Sequence, residues 1–209
     1  LGGEVWGLMS AALVTSVLGF AATLWIPPVP AAAPRLRLTF NIVRALWQTL
    51  REARVHHAWS VMLAISGFWM IGAMILSQIP LMAERLGAPR YTLYLLLLFA
   101  VMMALGAAIA WRLNRDRLRL EWTRRWYALM VLWLALLGWS WPQWPLVWWP
   151  AFALLALTGG VMIVPLYVWL QREIDSAERG RVFAALNVLN ALFMVAGTGA
   201  LMVWHGLHG

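Results

Sequence analysis

The sequence contains no cysteine and no lysine, and it carries few charged residues of either sign. Without cysteine, disulfide bonds and thiolate chemistry are excluded. Without lysine, no Gly-x-x-x-x-Gly-Lys-Ser/Thr phosphate loop exists, which argues against an ATP-driven pump. The hydrolase motifs His-Glu-x-x-His and Gly-x-Ser-x-Gly are also missing, so we predict no catalytic residues. Charged residues make up 11% of the chain, against about 25% in a soluble domain, and this balance argues against an aqueous fold.

The chain consists largely of long apolar stretches, and hydrophobic residues account for 63% of it. Five stretches contain no Asp, Glu, Lys or Arg, namely 5–34, 55–83, 91–111, 126–171 and 182–209. A helix needs about 20 mostly apolar residues to cross a bilayer. The fourth stretch is long enough for two crossings, and prolines at 142 and 145 indicate a turn within it.

The pattern therefore predicts an all-α fold, a polytopic transmembrane helix bundle with six spans. We place the spans at 5–26, 59–80, 91–111, 126–141, 146–171 and 182–204. The domain organisation that follows is a first span and its exit at 1–34, a loop at 35–56 and a five-span bundle at 57–209. Apolar residues at helical spacing over 38–55 predict an amphipathic helix at the membrane interface in that loop.

The sixteen arginines are distributed unevenly, and their distribution predicts the orientation. All but Arg85 and Arg90 lie in loops 35–56, 112–125 and 172–181. Short arginine-rich loops stay in the cytoplasm, so we expect these three loops on that side and a multi-pass protein. The net charge of +8 is then topological and no sign of a nucleic-acid partner. Membrane lipids are the expected partners of these arginines.

A polar side chain inside a span costs free energy unless it is hydrogen-bonded or hydrated, so each one is a candidate binding residue. The candidates are Ser66 and Gln78 in the second span, Tyr167 and Gln171 in the fifth, and Asn187 and Asn190 in the sixth. The two asparagines are three residues apart and share one helix face. Two interpretations stay open for them, lining of a substrate cavity and ordinary hydrogen bonding between helices.

Three other sets of residues bear on chemistry and helix geometry. No carboxylate lies in the middle of a span, and Glu84 can pair with Arg85 or Arg90, so a proton relay has no obvious carrier here. His205 and His208 lack a third ligand, and we predict neither a metal site nor a cofactor. Asp175 followed by Glu178 resembles a capping box at the start of the sixth span.

Three blocks of sequence resemble the lysophospholipid transporters of the major facilitator superfamily. VPLYVWLQ (164–171), RGRV (179–182) and AALNVLNALFMV (184–195) resemble the family's tenth and eleventh helices. IPPVP (26–30) resembles the end of the sixth helix, and SGFW (66–69) with QIP (78–80) resembles the seventh. The resemblance implies that the chain corresponds to helices six to eleven of a twelve-helix fold. The absence of an initiator Met agrees with a fragment of a longer protein.

The resemblance further implies a secondary transporter that moves lysophospholipid across the bacterial inner membrane by alternating access, with phospholipid remodelling as its setting. The remaining transporter helices are then partners, and Trp69 joins the candidate substrate-binding residues. Two alternatives stay open. The chain is the membrane module of a fused acyltransferase and acyl-carrier-protein synthetase, or it is a facilitator for another amphipathic solute such as a drug. In none of these is the chain itself an enzyme.

Overall fold

The computed structural model describes residues 2–27, 58–88, 90–115, 117–140 and 144–208. It also describes five further positions, 41, 44, 47, 48 and 51. Every regular element in these ranges is helical. The helices are α1 (Gly2–Thr23), α2 (Ala58–Arg85), α3 (Tyr91–Leu113), α4 (Thr123–Ser140), α5 (Pro145–Glu173) and α6 (Ser176–His208). A single 3₁₀ turn, Leu120–Trp122, precedes α4. Most of the predicted amphipathic helix at 38–55 and the turn at 141–143 lie outside the described residues.

The six helices fall where the six spans were predicted, and the chain is a helical transmembrane bundle. α6 begins at Ser176, directly after the predicted start signal at Asp175, so it has a charged first turn before the apolar span that starts at 182. The carbonyl oxygen of Asp175 accepts hydrogen bonds from the backbone N–H groups of Glu178 and Arg179, at 3.0 and 2.9 Å. The Glu178 carboxylate pairs with Arg181 at 3.3 Å and makes no capping-box contact.

Four of the described helices are long and apolar enough to cross a membrane, namely Ala58–Arg85, Tyr91–Leu113, Pro145–Glu173 and Ser176–Leu207. The helices at the other two predicted spans, α1 and α4, do not meet this requirement of length and hydropathy. α1 contributes a shorter apolar segment, Ala12–Thr23. α4 has 18 residues, and Arg124 and Arg125 in its first turn lower its hydropathy. Crossing by α1 and α4 therefore stays a prediction.

The chain divides into two compact units, Leu1–Arg37 and Leu38–Gly209. The first contains α1, whose hydroxyl groups bond to its own backbone. Ser10 donates to the carbonyl oxygen of Trp6 at 2.7 Å, and Ser16 donates to that of Ala12 at 2.8 Å. A helix in lipid must satisfy its polar groups internally, and these bonds do so for both serines.

In the second unit α5 is the central helix, packed between α3 and α4, while α2 packs mainly along α6 and also meets α3 and α5. Of the apolar segment of α5, 61% is buried, against at most 28% for the other three membrane-length helices. Large residues such as Phe152, Met162 and Leu170 are fully buried on it. α5 therefore forms the core against which the other helices are positioned.

α3 and α5 approach each other through glycines. A Cβ atom on Gly160 would stand 2.2 Å from the carbonyl oxygen of Met103, and one on Gly106 would stand 2.1 Å from that of Leu157. Lipid offers no hydrophobic driving force between helices, so small residues that permit close backbone contact hold membrane bundles together. Gly160 is therefore a packing position within a continuous helix.

The end of α2 is fixed by a Schellman motif. Gly87 has a φ of 86°, and its N–H donates to the carbonyl oxygen of Glu84 at 2.9 Å. The N–H of Ala88 reaches back to the carbonyl oxygen of Ala83 at 3.4 Å. Glycine is the residue that adopts this left-handed conformation without strain. The motif holds Arg85 at the tip of α2, beside the cavity described below.

Candidate functional site

α2 and α6 are joined by a buried hydrogen bond in mid-helix. The hydroxyl of Ser66 donates to Oδ1 of Asn190 at 2.8 Å. Ser66 is fully buried and Asn190 is 7% exposed. This is the geometry of an interhelical hydrogen bond, one of the two interpretations that the sequence leaves open for the asparagines.

Two turns along α6 from Asn190, Gly197 brings the same pair of helices together. A Cβ atom on Gly197 would stand 2.5 Å from Cγ of Met70 and 3.1 Å from Sδ of Met74. Ser66, Met70 and Met74 are spaced by four residues, so they form one stripe on α2. We call this line of contact the α2–α6 seam, defined by Ser66, Met70 and Met74 of α2 with Asn190 and Gly197 of α6.

Beside the seam, α2, α5 and α6 bring three aromatic rings together. The Nε1–H of Trp69 donates to the hydroxyl oxygen of Tyr167 at 3.0 Å. The Tyr167 ring stacks on Phe183, with 6.3 Å between centroids and 25° between planes. Trp69 is 39% exposed, so this group reaches the surface of the described bundle. We call Trp69, Tyr167 and Phe183 the aromatic cluster.

Asn187 and Gln171 flank the aromatic cluster along the chain. Asn187 is exposed and follows Phe183 by four residues, so the two share a face of α6. Its amide has no hydrogen-bond partner among the described residues. Gln171 is exposed and follows Tyr167 by four residues on α5. It lines an open cavity of about 510 Å³ together with Ser176, Arg179, Gly180 and Phe183.

The two asparagines therefore have different environments. Asn190 faces the seam and is paired, whereas Asn187 is on the exposed side of the same helix. An exposed amide within a membrane-length apolar helix is unfavourable against hydrocarbon. The face of α6 that carries Asn187 is thus suited to line a water-filled cavity or to pack against another helix.

Gln78 lies apart from the other candidates, in a second cavity of about 320 Å³ where α2, α4, α5 and α6 meet. Its apolar wall includes Met74, Leu134 and Leu137, and its polar side chains include those of Gln78, Arg85 and His205. We call this space the outer cavity, because it lies toward the helix ends that the arginine pattern predicts to face away from the cytoplasm. Glu84 forms no ion pair with Arg85 or Arg90 among the described residues, unlike the pairing that the sequence suggests.

α4 also contacts α2 next to the seam, through the side chain of Tyr127. The hydroxyl of Tyr127 donates to the carbonyl oxygen of Ala64 on α2. A Cβ atom on Gly67 would stand 3.2 Å from that hydroxyl. The glycine of the SGFW block therefore leaves room for the tyrosine, and α2 is fixed in register next to Ser66.

The structure thus groups the seven predicted site residues into three places. Ser66 and Asn190 lie in the seam, Gln78 lies in the outer cavity, and the rest lie in or beside the aromatic cluster. Sequence reasoning missed Phe183, Arg85 and His205 as members of these groups. Phe183 lies one turn from the candidate Asn187 on the same helix, so helical spacing was the signal that could have identified it.

The fold and its polar contacts are those of a multi-pass helical membrane protein with polar side chains along its helix contacts. A family model described as the Major Facilitator Superfamily matches residues 2–198. No curated protein and no solved structure matches the chain. The chain belongs to the major facilitator superfamily, and it is a transporter of that type.

Proposed function

We propose that this chain forms part of a secondary transporter that moves lysophospholipid across the bacterial inner membrane by alternating access. A lysophospholipid has a polar head that resists hydrocarbon and one acyl chain that does not. The observation that carries the proposal is the run of polar groups along α2, from the Trp69–Tyr167 contact to Gln78 and Arg85. The resemblance of residues 164–195 to the lysophospholipid transporters supports the same substrate.

In this proposal the headgroup meets exposed polar atoms and the acyl chain lies on apolar helix faces. Asn187, Gln171 and the Tyr167 hydroxyl serve the head near the aromatic cluster. The buried Ser66–Asn190 bond holds α2 against α6, so Ser66 and Asn190 contribute by positioning the helices. Leu192 and Val195, both exposed on α6, offer apolar surface for the chain.

Alternating access requires a second bundle to rock against this one. The six helices correspond in this proposal to helices six to eleven of twelve, and the remaining helices close the cavity from the other side. The face of α6 with the exposed Asn187 amide then points into the cavity between the bundles. Loops 35–56, 112–125 and 172–181 lie in the cytoplasm.

The test is translocation of a fluorescent lysophospholipid by the full-length protein in liposomes. Asn187→Leu should reduce the initial rate about tenfold, because it removes a headgroup contact, while the protein still folds and inserts. The matched control is Val188→Leu, an exposed apolar neighbour, which should leave the rate unchanged. An Asn187→Leu variant that moves lysophospholipid as fast as wild type contradicts the assignment of this face.

A further inference from the structure

We infer that the outer cavity is a selection site for a lipid that carries both a phosphate and a free hydroxyl group, with a single acyl chain. The inference rests on the proposed function and gives its substrate a second binding position. It assigns the phosphate to Arg85 and the hydroxyl to His205. Neither role is visible in the sequence, where Arg85 reads as a partner of Glu84 and His205 as a poor metal ligand.

The shape and lining of the outer cavity fit part of such a lipid. Ligand sites in proteins commonly have volumes of about 300–1,000 Å³ with mainly apolar walls and a few placed polar groups. At about 320 Å³, the outer cavity accommodates a headgroup and the first part of a chain. On α2 the lining residues are spaced by three or four positions and so share one helix face, namely Met74, Gln78, Leu81 and Arg85. The cavity wall therefore changes from apolar at Met74 to charged at Arg85, toward the end of the helix.

Arg85 is suited to the phosphate. Its guanidinium has no ion-pair partner among the described residues, and it lines the cavity beside Gln78. Guanidinium groups bind phosphate through two parallel, charge-assisted hydrogen bonds. The Schellman motif that ends α2 fixes the backbone immediately after Arg85. Seven residues separate Gln78 from Arg85, or about 10 Å along the helix axis, so the anion sits at the mouth.

His205 is suited to the hydroxyl. Its Nδ1 lies 2.8 Å from the carbonyl oxygen of Leu201, so Nδ1 carries a proton and donates it. In the neutral ring this leaves Nε2 as a hydrogen-bond acceptor. A free hydroxyl on the glycerol of a lysophospholipid donates to such an acceptor. A diacyl lipid has an ester at that position and no proton to give.

The experiment measures displacement of a fluorescent lysophospholipid from the full-length protein in nanodiscs of uncharged lipid. The competitors are a lysophospholipid, its 2-deoxy analogue without the hydroxyl, a fatty acid of the same chain length and inorganic phosphate. Wild type should bind the 2-deoxy analogue about fivefold more weakly than the lysophospholipid. Inorganic phosphate should displace nothing at the same concentrations, since it lacks the chain.

Matched variants separate the two contacts. Arg85→Gln should weaken lysophospholipid binding about tenfold or more, and Arg85→Lys should recover part of that loss. His205→Leu should bind the lysophospholipid and the 2-deoxy analogue equally, whereas His205→Gln should keep part of the preference. Arg90→Gln is the control, because the Arg90 guanidinium lies over the Tyr91 ring and does not line the cavity.

Two results overturn the inference while leaving the proposed function intact. In the first, the wild type transports lysophospholipid but binds the 2-deoxy analogue as tightly as the lysophospholipid. In the second, the Arg85→Gln variant transports lysophospholipid and binds it as tightly as the wild type does. Displacement by inorganic phosphate alone also contradicts it, since the site then recognises an anion without a lipid. A wild type that does not translocate lysophospholipid at all contradicts the proposed function instead.

Discussion

A Cβ atom on Gly160 of α5 would stand 2.2 Å from the carbonyl oxygen of Met103 on α3, closer than any real contact of this kind. The neighbour is backbone, which cannot move aside as the end of a side chain can. The two helices therefore touch at a point where only glycine fits. Since α5 is the central helix of its unit, this contact sets the position of α3 relative to the rest.

Alanine substitutions of three glycines should therefore rank in a defined order. Gly160→Ala should destabilise the protein by about 1–3 kcal/mol, because it forces α3 and α5 apart. Gly197→Ala should cost less, since its nearest neighbours are side-chain atoms of Met70 and Met74, which can shift more easily than backbone. Gly72→Ala has open space and should raise stability slightly through helix propensity.

The measurement for this series is the thermal midpoint of the detergent-solubilised protein. Equal midpoints for Gly160→Ala and Gly72→Ala would contradict the close approach of α3 and α5. The series needs no transport assay, so it tests the packing independently of the substrate.

The two asparagines of α6 should respond differently to substitution by leucine. Asn190→Leu removes the acceptor of a buried bond and should lower stability by about 0.6 kcal/mol. Asn187→Leu removes an exposed amide and should leave stability unchanged or slightly raised. Reversible unfolding in mixed detergent micelles measures both. Equal losses for the two variants would contradict the assignment of Asn190 to the seam.

The Trp69–Tyr167 hydrogen bond should appear as coupling between two sites. We expect a double-mutant cycle of Trp69→Phe and Tyr167→Phe to give a coupling free energy of about 0.6 kcal/mol, and at most about 1.7. A control cycle pairs Trp69→Phe with Ser77→Ala, because among the described residues Ser77 donates only to its own helix, at the Met74 carbonyl. That cycle should be additive, and coupling of the same size in both cycles would refute the contact.

The absence of cysteine allows a direct test of the orientation. In a cysteine-free background of the full-length protein, single cysteines replace Arg44, Arg117 or Glu84. An impermeant maleimide should label Glu84→Cys on intact spheroplasts, whereas Arg44→Cys and Arg117→Cys should react only after permeabilisation. Labelling of Arg44→Cys and Arg117→Cys from opposite faces would contradict the six-span topology.

The helices could be predicted from the sequence because apolar length and arginine placement are local properties. α3, for example, begins at Tyr91 and ends within two residues of its predicted end. α6 begins directly after Asp175, at the position that the Asp175–Glu178 pattern indicates. The side-chain contact of a capping box does not form, since the Glu178 carboxylate pairs with Arg181.

The grouping of the site residues could not be predicted in the same way, because it depends on which helices meet. Ser66 and Asn190 are 124 residues apart in the chain, and no spacing rule links them. The sequence placed both asparagines on one face, yet only the packing of α2 against α6 separates the buried Asn190 from the exposed Asn187. The packing role of Gly160 likewise depends on its contact with α3, which cannot be inferred from the sequence of α5 alone.

Substrate selection by the full-length protein can be measured in liposomes. We expect rapid inward movement of a fluorescent lysophospholipid, slow movement of the diacyl lipid with the same head, and no competition by a cationic drug. Translocation of lysophospholipid at the rate of protein-free liposomes, or its full inhibition by the unrelated drug, would show that the protein is not a lysophospholipid transporter.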